Sequence, residues 1–178
     1  MNMNIISAAI LLSLSTIGMN ANAAEIKFSG TVTAASCELE GNSGNLIMQL
    51  PTYGIKDVKA VGQHNGVTTL SAKAVCDNTS GNGLVTMSLL PNKGSFDGPV
   101  LKNTLTEDDA AKGVGIVVMG DDSQPLDFSQ GRGAKITAPM IGGAANILVS
   151  ATYAKDTSGE EISAGNVAAV LPFVMTYE

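Results

Sequence analysis

The chain has 178 residues, 44% of them hydrophobic, and a formal net charge of −6. An acidic balance of this kind argues against nucleic acid or an anionic membrane as partner. A chain of about 150 residues buries about 68 to 70% of its unfolded surface, enough for one core, and no internal repeat, linker or low-complexity tract suggests a second domain.

Ile5 to Ile17 form a short uncharged apolar run, followed by Ala21-Asn22-Ala23, the small-x-small pattern of a signal-peptidase site. The run is too short to anchor in a bilayer, and no later apolar run reaches roughly 18 residues. Residues 1–23 therefore read as a secretory signal peptide, unusual in having no Lys or Arg near its start. Cleavage leaves a new amino terminus, Ala24-Glu25-Ile26-Lys27-Phe28-Ser29-Gly30-Thr31-Val32. It alternates, with Ile26, Phe28, Gly30 and Val32 on one face and Lys27, Ser29 and Thr31 on the other.

Cys37 and Cys76 both follow the leader, and an even cysteine count in an exported chain reads as one disulfide rather than two buried thiols. It would close a separation of 39 residues, worth roughly 4 kcal/mol in the chain-entropy model. Strands are expected at Leu46 to Leu50, Thr69 to Cys76, Leu84 to Leu90, Val114 to Met119, Ile147 to Tyr153 and Val167 to Tyr177. The stretches between them are rich in Asn, Asp, Ser, Pro and Gly, as in 77–83, 91–95, 120–125 and 155–159. No long segment has a helical repeat, so the class is all-β and the spacing suits a sandwich. The last strand puts Leu171, Phe173, Met175 and Tyr177 on one face, and no later run is present to pair with it. An apolar edge of this kind is a template for an added strand.

In this order the pieces resemble the pilin subunits of chaperone-usher fimbriae, of the type 1 pilus kind. The matches are the alternating extension with Gly30 seven residues before Cys37, the Cys37/Cys76 spacing, and Val114-Gly115-Ile116-Val117-Val118-Met119 before an Asp-containing turn. Ala151-Thr152-Tyr153, Ile162-Ser163-Ala164-Gly165-Asn166 and the penultimate Tyr177 complete them. The resemblance covers essentially the whole chain after the leader. It implies a donor-strand extension over 24–35 and a pilin domain over 36–178. That domain would be an incomplete immunoglobulin-like sandwich lacking its last strand, completed by a donor strand from another chain. Ile26, Phe28, Gly30 and Val32 would be the donor residues. Leu171, Phe173, Met175, Tyr177 and Glu178 would form the acceptor groove and its chaperone-recognition end. The implied partners are a periplasmic chaperone, an outer-membrane usher and neighbouring subunits, and the implied destination is a cell-surface fimbrium that supports adhesion.

Two departures from the family pattern stand out. Leu70-Ser71-Ala72-Lys73-Ala74-Val75 is small, with an ambiguous phase relative to Cys76, and only Ala24-Glu25 precede Ile26, which leaves the outermost contact short. The extension is expected to project outward, because Thr33-Ala34-Ala35-Ser36 contains no Gly, Pro, Asn or Asp for a tight return turn. Gly30 reads either as a close approach within the groove or as a bulge or turn glycine.

Catalytic and metal chemistry find little support. His64, the single histidine, stands in Gly62-Gln63-His64-Asn65-Gly66 with no nearby acid or thiol and reads as a solvated loop residue. Glu107-Asp108-Asp109 and Asp121-Asp122 lack the alternating ligand spacing of a calcium loop. Gly113-Val114-Gly115 lacks the rest of a dinucleotide loop, and Asn78-Thr79-Ser80 is a lone glycosylation triplet that a turn also explains. The expectation is no enzyme, cofactor or metal. The rival class is a secreted single-domain carbohydrate-binding or adhesin-like β-sandwich, for which the absence of Trp and the presence of only 3 Tyr are unfavourable.

Overall fold

The computed structural model describes residues 24–32, 37–40, 44–64, 66–76, 82–130 and 133–177, with residues 31 and 32 described in backbone only. The proposed signal peptide, Thr33-Ala34-Ala35-Ser36, residues 77–81 with the Asn78-Thr79-Ser80 triplet, and Glu178 lie outside these residues.

Among the described residues eleven strands follow in order: β1 (Ala24–Val32), β2 (Cys37–Leu39), β3 (Asn45–Leu50), β4 (Thr68–Cys76), β5 (Gly83–Leu89), β6 (Phe96–Asp97), β7 (Val100–Lys102), β8 (Val114–Met119), β9 (Ala134–Ile141), β10 (Ala144–Lys155) and β11 (Ala168–Tyr177). One layer runs β3-β1-β11-β5-β9, and the other carries β10 with β4 and β2 on one side and β8, β7 and β6 on the other. The layers meet at the β9–β10 hairpin, where Gly142 and Gly143 take φ of 61° and 82°. Both values lie in the left-handed region that a two-residue hairpin turn demands. No helix among the described residues is long and apolar enough to cross a membrane.

Alternation places the core. In β4 the burial pattern puts Ala72, Ala74 and Cys76 inward, which fixes the phase that the small side chains of this run left open. In the same layer Ile147 of β10, the ladder partner of Ala72, is fully buried beside them. Cys37 and Cys76 form the expected disulfide and lie directly opposite each other on β2 and β4.

β8 is apolar without alternation because both of its faces are covered. Ile116 and Val118 enter the main core, while Val117 and Met119 join Val100 and Ala154 in a second small cluster against Val61. Val61 belongs to the 51–67 connection, which the Lys155 N–H to Lys59 C=O bond of 2.9 Å ties to β10. His64 lies in this connection, and the expectation of a solvated imidazole is wrong. Both ring nitrogens are out of water and have no hydrogen-bond partner among the described residues. Its Gly- and Gln-rich setting looks solvated in sequence because the underlying sheet face is remote in the chain.

The second correction concerns the amino-terminal extension, which does not project. β1 lies inside the first layer, parallel to β11 and antiparallel to β3. A tight return turn is needed only where the chain comes back within one sheet. Instead Val32 ends in one layer and Cys37 begins in the other. The layer spacing of about 10 Å is within reach of four residues at about 3.3–3.6 Å each, so no hairpin residue is required.

Candidate functional site: a strand-binding groove

β3 and β11 are the two walls of a groove, and β1 is the strand that fills it. On β3 the inward residues are Leu46, Met48 and Leu50; on β11 they are Ala169, Leu171, Phe173 and Met175, all buried. β1 contributes Ala24, Ile26 and Phe28 to the same surface, with Ile26 at 0% and Phe28 at 1% exposure. Lys27 and Ser29 face solvent, as the period of two requires. The exposed Lys27–Glu25 ion pair of 3.0 Å adds little to stability.

The register brings together residues singled out from sequence. Phe28 pairs with Leu171, Gly30 with Phe173, and Val32 with Met175 in the β11 ladder, while Ile26 pairs with Ala169. Across the other edge Ile26 pairs with Met48 and Phe28 with Leu46. Volumes are complementary along the ladder: Ile26 meets the small Ala169, and Gly30 meets the large Phe173. A β-carbon at Gly30 would lie 2.4 Å from Cε2 and Cζ of Phe173, so the phenylalanine ring occupies the place of a side chain. The Gly30 N–H donates to Gly44 C=O at 3.0 Å. Gly30 is thus a close-approach glycine within this chain. Tyr177 is half-buried at the other end, opposite Val85 of β5 and beyond the β1 ladder.

At the start of β1 the groove is incompletely filled. A cavity of about 210 Å³ adjoins Ala24, walled by Tyr53, Val58, Tyr153, Ile162 and Val167. The Tyr53 and Tyr153 rings pack with centroids 5.2 Å apart, and the Tyr153 hydroxyl is hydrogen-bonded by the backbone of Ala24. Burial pushes the Tyr153 phenol above its ordinary value, with the Ala24 bond opposing and Tyr53 reinforcing the shift. In the unfolded chain a tyrosine ionises near pH 10, so this contribution to stability is fully present below about pH 10 and lost as pH rises through the folded value. Thermal melts between pH 9 and 11 should therefore fall more steeply for the native chain than for Tyr153→Phe. Parallel pH curves would show that Tyr153 is not the group responsible.

Other sequence candidates fall elsewhere and do not converge. Asp109 accepts from the Asn166 side-chain amide, and Asp122 Oδ1 accepts from the Gln124 N–H at 3.0 Å, both in exposed turns. Gly113 takes a φ of 66°, and at Gly115 a β-carbon would lie 2.3 Å from the Leu101 carbonyl oxygen, so both glycines serve close backbone packing around β8. Among the described residues no three His, Cys, Asp or Glu side chains gather as a metal site.

Sequence reading missed β3 as the second groove wall and the tyrosine pair at the groove's end. The alternation of Leu46, Met48 and Leu50 signals a strand, but nothing in it names the neighbour. Tyr53 lies in the 51–67 connection and Tyr153 in β10, a hundred residues on, and no local pattern links them.

Comparison with known proteins supplies the family. A model of the family described as "Fimbrial protein" matches residues 26–178. The "Fimbria adhesin protein" of Klebsiella pneumoniae is 32% identical over 111 residues, covering 56% of this chain and 32% of that protein. The chain thus matches about a third of the length of that curated relative. Among solved structures, the CupB6 tip adhesin from Pseudomonas aeruginosa is similar at 16% identity and a TM-score of 0.44, over 67% of this chain and 36% of that one.

Proposed function

We propose, on the premise that the chain belongs to the fimbrial protein family, that it is a subunit of a chaperone-usher fimbria that polymerises by donor-strand exchange. The family is one of fimbrial proteins and not of enzymes. The observation that carries the exchange reading is the placement of β1. It is bonded along both edges in the groove, yet joined to the rest of the domain only through residues 33–36. A strand held in this way can be replaced by an equivalent strand from another molecule without rethreading the fold. In this reading Ile26, Phe28, Gly30 and Val32 enter the groove of a neighbour. Leu171, Phe173 and Met175, with the β3 wall, receive the strand of the next subunit. Tyr177 and Glu178 serve recognition by a periplasmic chaperone, which holds the groove before an outer-membrane usher passes the subunit to the growing fibre. The chain with β1 in its own groove is the resting monomer. The name of the Klebsiella relative supports an adhesive role for the fibre.

The test uses the chain starting at Ala24 with Ile26→Asp and Phe28→Asp, two buried charges that its own strand cannot keep in the groove. A fluorescent peptide copy of residues 24–34 is expected to bind it saturably. The same peptide with Gly30→Leu must displace Phe173, an overpacking of about 1–3 kcal/mol, and should bind about 5- to 150-fold more weakly. No binding of the native peptide at millimolar concentration would sink the exchange reading, and glycan binding in its place would favour the secreted carbohydrate-binding sandwich.

A further inference from the structure

We infer that the Cys37–Cys76 disulfide diverts tension on the amino-terminal strand into the second layer and so keeps it off β3, the wall that holds a neighbour's strand. The inference rests on the exchange reading, in which a subunit is pulled through its own residues 24–32.

The path of that tension follows from connectivity. Beyond Val32 the pull reaches Cys37 after four residues, and β2 offers only the pairs Cys37↔Cys76, Glu38↔Val75 and Leu39↔Ala74. One further backbone bond, Glu40 N–H to Lys73 C=O at 2.9 Å, and an exposed Lys73–Glu40 ion pair at 2.8 Å follow. The next strand is β3, starting at Asn45. Its only ladder among the described strands is with the occupant of the groove. A chain peeled from β2 would therefore drag the groove wall next. With the disulfide in place, the pull leaves the main chain at Cys37 and enters Cys76 at the end of β4. β4 is paired along its other edge with β10 from Thr68 to Val75, in the layer opposite the groove. Tension on one side of the subunit then bypasses the wall that grips the strand on the other.

The experiment holds the Ile26→Asp/Phe28→Asp chain by its amino terminus and the seated native peptide by a second tether, in optical tweezers, before and after reduction with a phosphine. Oxidised molecules should lose the peptide in one step, with no lengthening beyond the extension itself. Reduced molecules should lengthen first, by up to roughly 26–29 Å as residues 37–44 peel ahead of β3 at about 3.3–3.6 Å per residue, and release the peptide at lower force. Identical traces overturn the inference while leaving strand exchange intact. So does expulsion of the peptide by reduction at zero force, which would make the bond a requirement of the groove rather than a bypass. A peptide that never seats overturns the exchange reading, and this inference with it.

Discussion

A chain from which residues 24–32 are deleted is expected to lose its cooperative thermal transition. The deletion removes Ala24, Ile26 and Phe28 from the core and exposes Leu46, Met48, Leu50, Leu171, Phe173 and Met175 together. It also strips β3 of its only ladder among the described strands and β11 of one of its two neighbours. Each large apolar side chain returned to water costs about 1.5–3 kcal/mol, so even partial exposure of this set approaches the 5–15 kcal/mol that holds an ordinary domain. The groove is then an apolar surface with open backbone on both sides, which favours aggregation. Dye binding and loss of the melting transition should report it. A peptide copy of residues 24–34 binds only the folded form, and at 100 times its dissociation constant it contributes about 2.7 kcal/mol. For a domain of this size that restores roughly 5–10 °C of melting temperature, in a dose-dependent way. A deleted chain that melts as the intact one does would mean that β3 and β11 close on each other, and that β1 is dispensable.

The second large effect is expected at Asn103, which lies outside the groove but is bonded to Ala168, the first residue of β11. Its side-chain amide donates to the carbonyls of Ala111 at 3.0 Å and Asn166 at 2.9 Å. Its carbonyl oxygen accepts the backbone N–H of Leu105 at 3.1 Å and of Ala168 at 3.0 Å. One partly buried side chain thus clamps the 103–111 connection to the first residue of β11, the groove wall. Asn103→Ala leaves these backbone groups to find water or remain unpaired, at about 1–3 kcal/mol for each one left buried. We expect a total loss of about 3–5 kcal/mol by denaturant unfolding. Asn103→Asp keeps the acceptor but turns a second oxygen toward two carbonyls, so it should not rescue. A loss below about 1 kcal/mol for both variants would show that the connection holds without the clamp.

Asn103 also marks where sequence reading stops. It sits in Leu101-Lys102-Asn103-Thr104 with no pattern around it, and its partners lie up to 65 residues away. The six strands expected beyond the extension, β3, β4, β5, β8, β10 and β11, were legible because period-two alternation, or in β8 a continuous apolar run, survives in the residues themselves. β9 alternates as cleanly, but Pro139 speaks against a strand. The structure tolerates it because β9 meets β10 only at Met140 and Ile141, leaving an open edge beside the proline. Gly142-Gly143 between two apolar runs was the overlooked hairpin signal. β2, β6 and β7, of two or three residues each, are too short to carry a period. In β1 both faces were legible, yet the site the strand occupies was not. That depends on a change of layer between Val32 and Cys37, and alternation describes faces without saying which layer follows.

The sizes of the side chains along β1 and β11 amount to an index mark. Slipping β1 by one residue would turn Lys27 and Ser29 into the core. Slipping it by two toward the β11 carboxyl end would set Ile26 against Leu171 and Phe28 against Phe173, ring on ring, with Gly30 left opposite Met175 beside an empty volume. Backbone hydrogen bonds are indifferent to such a shift, since every two-residue step restores the same ladder. Among those ladder positions it is bulk that distinguishes one from the next, and the missing side chain at residue 30 is the notch by which the strand finds its stop.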